Sequence, residues 1–249
     1  MKQTGAALLA ALLTVALVAT LAAAGLWQQW RAVEIEIAER ARLQAGWVLT
    51  GALDWGRLIL REDARAGAID HLAEPWAVPL QEARLSAFLA ANREAGAEGS
   101  DVDNAFLSGE IVDLQSRLNV MNLLDNGQVS EGGVRSFQRL FGSLGLPPAQ
   151  LESLVGQLRL AAGTADTDAA SASHAAPLMP QRASDLGWLG LPPATVTALQ
   201  PHVTVLPLRT PVNLNTASAQ VIHAAIDGIS LADAQRITGG RAASHFRTV

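Results

Sequence analysis

The chain predicts an α+β protein: a long N-terminal helix that crosses a membrane, followed by a small β-sheet and a large helical domain. Three observations lead there. Ala6 to Trp27 carries no charge, and ~20 such residues at ~1.5 Å each match ~30 Å of hydrocarbon. From Trp27 to Asp63 there is no proline, and apolar residues recur at Trp30, Val33, Ile37, Ala41, Ala45, Val48, Ala52, Trp55 and Ile59, the steps of three and four that mark one helical face. Strand-like residues between Asp101 and Val120 then give way to a mainly helical pattern.

At 249 residues with a net charge of −5, the chain has room for the apolar span and one or two domains. Lysine occurs only at position 2, and no basic block suggests nucleic acid or lipid headgroups. Cysteine is absent, which excludes disulfides and thiolate-bound metals.

The N-terminus admits three readings. A cleaved secretory signal would use Lys2, the run Ala6 to Ala19 and a small-residue site at Ala22-Ala23-Ala24. An uncleaved anchor would keep Lys2 in the cytoplasm, with Trp27 and Trp30 at the far interface. A prepilin-type leader would end at Gly5, with the cut before Ala6. The helical pattern beyond Trp27 argues against the first reading. Ala6 to Asp63 as one helix is ~87 Å long, half in lipid and half in water. Its wet half bears Arg31, Glu34, Glu39, Arg42, Asp54, Arg57 and Arg61, with Glu36 and Arg40 in the favourable acid-first order. A break near Gly25 is the alternative. Gly46, Gly51 and Gly56 each weaken the helix by up to ~1 kcal/mol or mark close packing.

Asp70 to Leu80 holds Pro75 and Pro79 and is expected as a loop around a buried Trp76. Leu85 to Asn92 is a short helix or strand, and Ala95 to Ser100 a loop. Ser108-Gly109 is expected as a tight turn joining Phe106-Leu107 to Ile111-Val112. Asp125-Asn126-Gly127 is turn chemistry, and Ser130 precedes a helix from Val134 to Leu144. Further helices are expected over Pro148–Leu160, Ala183–Gly190, Pro193–Gln200, Ala219–Ile226 and Leu231–Thr238, with a β-type run at Val203–Leu208. Ala161 to Ala176 lacks large apolar residues and is expected to be disordered. Asn119-Val120-Met121-Asn122 and Asn213-Leu214-Asn215 look like two copies of one turn signal. The resulting division is 1–5 leader, 6–63 membrane and assembly helix, 64–120 α/β body, and 121–249 helical domain with a loop near 161–177.

Enzyme chemistry is not expected. His71, His174, His202, His223 and His245 never stand at i, i+4 spacing for a metal, and neither a phosphate-binding glycine loop nor a Gly-x-Ser-x-Gly elbow occurs. Asp101, Asp103 and Asn104 offer oxygen ligands for calcium, although their spacing does not fit an EF-hand, and an acidic loop before a strand is the commoner explanation. Asn213 to Phe246 resembles the helix-hairpin-helix motif of DNA-binding proteins, in which a Gly-x-Gly hairpin brings backbone amides to phosphates. Here the hairpin is Gly228-Ile229-Ser230, and from Arg209 onward four arginines face Asp227 and Asp233, little charge for DNA affinity. A membrane-tethered DNA-binding protein is the second functional reading.

The Gly5 leader, Trp27-Gln28-Gln29-Trp30, the loop His71-Leu72-Ala73-Glu74-Pro75-Trp76, Ser108-Gly109 with Asp113, Arg117 and Asn119, and Pro211 to Ser218 together resemble the protein K family of type II secretion, its large minor pseudopilins. The resemblance implies cleavage after Gly5 and N-methylation of Ala6 by prepilin peptidase. It also implies an inner-membrane anchor with a periplasmic bulk, a pilin-like α/β body with an inserted helical domain, and calcium binding. The expected place is the pseudopilus tip, beside minor pseudopilins I and J and other subunits, without nucleic acid. Pilin-like proteins mostly carry glutamate at the fifth mature position, whereas this chain has Ala10, as the family does. The chain ends where further strands of a pilin sheet are expected.

Overall fold

The computed structural model describes residues 4–67, 69–84, 106–163 and 176–247. It divides into two units, Met1–Arg61 and Glu62–Val249. Leu85–Asn92, Ala95–Ser100, Asp101, Asp103 and most of the expected loop at Ala161–Ala176 lie outside the described residues.

Helix α1 runs unbroken from Thr4 to Ala66, from just before to just beyond the expected limits. In the apolar part, Thr14 and Thr20 return their hydroxyls to the carbonyls of Ala11 and Leu17, so neither hydroxyl faces lipid unsatisfied. In the charged part, Arg40 meets Glu36 at 2.9 Å as anticipated, and Arg57 meets Asp54 at 2.6 Å. Gly25 does not break the helix. Gly46 and Gly51 likewise lie within unbroken helix.

The second unit buries its apolar groups by helical periodicity. Helix α2 (Glu131–Ser143) starts at Ser130, whose Oγ accepts from the Gly133 amide, and buries Phe137, Leu140 and Phe141. Helix α3 (Pro148–Ala161) begins on proline, where no intrahelical donor is lost, and buries Leu151, Leu154 and Leu158. A 3-10 stretch, Ala183–Leu189, ends at Gly190 with φ of 84°, the left-handed cap that glycine adopts without strain. Helix α4 (Pro193–Leu199) and the hairpin of α5 (Ala219–Ala225) and α6 (Leu231–Ala243) complete the helices. Leu123, Leu140, Leu154, Leu189, Leu199 and Ile222 are fully buried members of one core.

Among the described residues, the strands form three separate two-stranded pairings. β1 (Leu80–Arg84) lies antiparallel to β2 (Phe106–Gly109), with an irregularity between Leu80 and Ala83. β3 (Leu118–Asn119) runs parallel to β6 (Val203–Thr204), and β4 (Leu124–Asp125) antiparallel to β5 (Gln128–Val129).

The turn expected at Ser108-Gly109 does not form. Both residues belong to β2, Gly109 lies opposite Leu80, and its φ is not positive as a tight two-residue turn would require. Ile111-Val112 supplies no second arm, because the Asp113 carboxylate accepts from the Gln115 amide at 2.7 Å and caps a 3-10 turn, Leu114–Ser116. The tight hairpin sits instead at Asn126-Gly127, with φ of 49° and 80°, between β4 and β5.

Gly133 lies in the first turn of α2 because the Asn122 carbonyl overlaps the place where a β-carbon would stand. Gly133→Ala is therefore expected to cost ~3 kcal/mol through overpacking, whereas Gly132→Ala, with open space, gains up to ~1 kcal/mol of helix propensity. Urea denaturation midpoints of the two variants check both signs.

Candidate functional site

Two regions of the chain carry features that a folded core does not need. The first is α1. No charge stands between Lys2 and Arg31, and this helix is long and apolar enough to cross a membrane by length and composition. Gly5 lies in its first turn, with Ala6 following in helical backbone, so the expected cleavage point opens the helix. Ala10 adds a methyl group where a carboxylate would have needed a counter-charge in lipid. Beyond the apolar part, the Arg31 guanidinium sits 5.0 Å from the Trp27 ring centroid, a cation over an aromatic face at the expected interface. Val33, Ile37, Trp47 and Leu53 on the outer half are all exposed. Exposed large apolar side chains are what a helix offers to a partner surface.

The second region lies where α1 ends. Asp63 of its last turns and Asp70 and Glu74 of the following loop bring carboxylate oxygens within 4.8 Å of one another. Glu74 organises the proline loop. Its Oε2 accepts from the His71 amide and from Trp76 Nε1, each at 2.8 Å, and this seats the indole in the interior as expected. The His71 imidazole lies 3.8 Å from the other Glu74 oxygen and stacks on His245, with centroids 3.9 Å apart.

Asp113 faces this loop but is already engaged. Its Oδ2 accepts from Thr216 Oγ1 at 2.5 Å and from Asn213 Nδ2 at 3.0 Å. Asn213 Nδ2 also donates to the Asp70 carbonyl, and its Oδ1 accepts from the Asn215 amide. Asn215 then clamps Phe246 by accepting from its amide and donating to its carbonyl. Arg241 donates to the carbonyls of Leu214 and Ala217 and holds the same turn from the side of α6.

The acids carry the electrical cost of this arrangement. Burial, and then the charges of Asp113, Glu74 and Asp63, push the Asp70 carboxyl above the usual carboxylate range, with His71 opposing. Burial, and then Glu74, push Asp63 the same way.

The residues singled out in sequence converge in part. His71, Glu74 and Trp76 form one loop, and Asp113 meets Asn213 and Thr216. Asp101 and Asp103 lie outside the described residues. The sequence does not group Asp63, Asp70 and Glu74: Asp70 and Glu74 stand four apart, but nothing local marks Asp63 as their neighbour. His245, solitary in the sequence, stacks on His71.

Comparison with known proteins gives consistent results. Residues 116–208 and 212–249, together more than half of the chain, match two family models, both described as type II secretion system protein K. The curated type II secretion system protein K of Pseudomonas aeruginosa strain PAO1 is 28% identical, over 99% of this chain and 74% of that one. Among solved structures, the crystal structure of the GspK-GspI-GspJ complex from the enterotoxigenic Escherichia coli type 2 secretion system contains a similar fold. The TM-score is 0.54 at 18% identity, covering 75% of this chain and 68% of that chain. By these matches, and in keeping with its apolar helix, two-stranded pairings and helical body, the chain belongs to the type II secretion system protein K family and is a minor pseudopilin.

Proposed function

We propose that the chain starts or caps the type II secretion pseudopilus at its tip, together with minor pseudopilins I and J. The observation that carries this is α1, a single helix whose apolar part has no charge and whose outer part keeps large apolar side chains exposed. Its work is structural and involves no reaction. The helix waits in the inner membrane with Lys2 on the cytoplasmic side by the excess of positive charge there, and the body lies in the periplasm. Prepilin peptidase cuts after Gly5 and methylates the Ala6 amine.

Ala10 supports that position. A carboxylate in an apolar helix is tolerable only when a neighbouring amine pairs with it. A subunit with alanine there still presents its own terminal amine to a neighbour's glutamate but cannot receive one, which suits the end of a filament. The solved complex of a relative with its I and J partners supports the choice of neighbours.

The DNA-binding reading loses support at the hairpin. The Ser230 amide and hydroxyl, which would meet a phosphate, both donate to the Asp233 carboxylate, at 2.8 and 2.6 Å. Those bonds hold Asp233 below the usual carboxylate range, so an anion of the chain itself caps α6.

The acidic junction supports calcium as a bound ion. Asp63, Asp70 and Glu74 are hard oxygen donors gathered closely enough to share one cation, and a cation there would offset the burial and the neighbouring negative charges that raise Asp70.

Four outcomes are expected. Intact mass of the membrane-extracted protein shows loss of residues 1–5 with gain of a methyl group. Ala10→Glu leaves folding unchanged but lowers secretion and moves the subunit from the tip into the shaft, read by cross-linking to I and J; normal secretion and tip position would refute the role of the missing charge. Ionised Asp70 weakens the folded state above its raised pKa, and that penalty is gone once the pH falls below the ordinary value of 3.8. In chelator, Asp70→Asn therefore raises Tm at neutral pH, and the gain disappears in acid. Added calcium raises the Tm of the unaltered protein more than that of the variant.

A further inference from the structure

The hairpin between β4 and β5 combines three properties that the assembly role does not use. Asn126 and Gly127 form the sole Asn-Gly step in the chain. Asn126 is exposed and, among the described residues, is the one non-glycine with positive φ, at 49°. That conformation costs an L-residue ~1 kcal/mol. The Gly127 amide donates to no backbone or side-chain acceptor among the described residues, so its nitrogen is free to react.

We infer that Asn126-Gly127 is a site of spontaneous deamidation, a covalent modification that requires only water. The Gly127 backbone nitrogen attacks Asn126 Cγ and gives up its proton to solvent. The Cγ–Nδ2 bond breaks, ammonia leaves and a five-membered succinimide remains. Water then opens the ring at either carbonyl, yielding aspartate or, with the chain routed through the side chain, isoaspartate. No group is oxidised or reduced. Glycine favours the step because no β-carbon shields the attacking nitrogen. Strands of two residues each let the turn open locally to reach the attacking geometry.

The surroundings make the consequence specific. Asp125 accepts from the Asn126 side-chain amide at 3.2 Å and pairs with Arg209 at 2.6 Å. Deamidation removes that donor and adds a second carboxylate beside the one Arg209 holds. Isoaspartate also lengthens the backbone by one carbon inside a two-residue turn. The disturbance reaches α2, because the Ser130 amide donates to the Leu123 carbonyl across the base of the hairpin and Ser130 caps that helix. By contrast, Asn119, Asn122, Asn213 and Asn215 hold their side chains in hydrogen bonds to distant backbone or side-chain groups, and none precedes glycine.

The test ages the full-length protein, folded in detergent, in mildly alkaline water enriched in heavy oxygen, and maps its peptides. The expected result is heavy-oxygen incorporation and isoaspartate at residue 126, none at Asn119, Asn122, Asn213 or Asn215, and loss of amide protection at Ser130 in the converted fraction. Asn126→Gln, whose attack would need a six-membered ring, abolishes the incorporation. Gly127→Ala slows it by on the order of tenfold through the added β-carbon. Absence of isoaspartate at 126 in the folded protein overturns the inference whatever the unfolded chain does, and so does equal conversion at those four asparagines.

Discussion

The body of this protein depends on one buried carboxamide. Asn119 is fully buried, and its side chain makes four hydrogen bonds. It donates to the Leu208 carbonyl and Thr210 Oγ1 and accepts from the amides of Met121 and Leu206. That is its full capacity. The parallel pairing of β3 with β6 covers only two residues on each side, too little backbone to hold segments so distant in sequence. Asn119 extends the pairing by other means, and Asn122 repeats it by exchanging two bonds with the Thr210 backbone. Leaving any of these buried groups unpaired costs ~1–3 kcal/mol, so the register is strongly specified.

The return of the chain at 206–210 then positions the segment after it. That segment delivers Asn213 and Thr216 to Asp113, Asn215 to Phe246, and the carbonyls of Leu214 and Ala217 to Arg241. Asn119 and Asn213 each accept from a backbone amide two residues on, Met121 and Asn215, so the pair of turn signals shares a real local geometry. At the acidic junction the same turn secures the loop by donating to the Asp70 carbonyl, while the carboxylates of Asp63, Asp70 and Glu74 repel one another. Neutral hydrogen bonds hold in place charges that would otherwise separate.

Helix α1 obeys a different physics. Its backbone bonds close within four residues, the hydroxyls of Thr14 and Thr20 are satisfied one turn back, and its large apolar side chains stand exposed along its length. Such an element is stable as a helix in lipid and incomplete on its own in water.

Features that act over a few residues were legible in the sequence alone. The span from Ala6 to Trp27, the helix through Asp63, the Glu36–Arg40 pair, the Ser130 cap, the proline start of α3 and the Gly190 and Gly228 turns all follow from spacing and residue type, because their causes lie within one or two turns. Which distant groups meet was settled by tertiary packing. Ser108-Gly109 has the composition of a turn, yet Leu80–Arg84 offered that segment a partner strand and Asp113 capped the chain that would have formed the second arm. Asp63 joined Asp70 and Glu74, and His245 reached His71, through contacts that leave no periodic trace. Local sequence carries information about local hydrogen bonds; a site assembled from 63, 70, 74, 113, 213 and 245 exists only once the core has closed around Asn119.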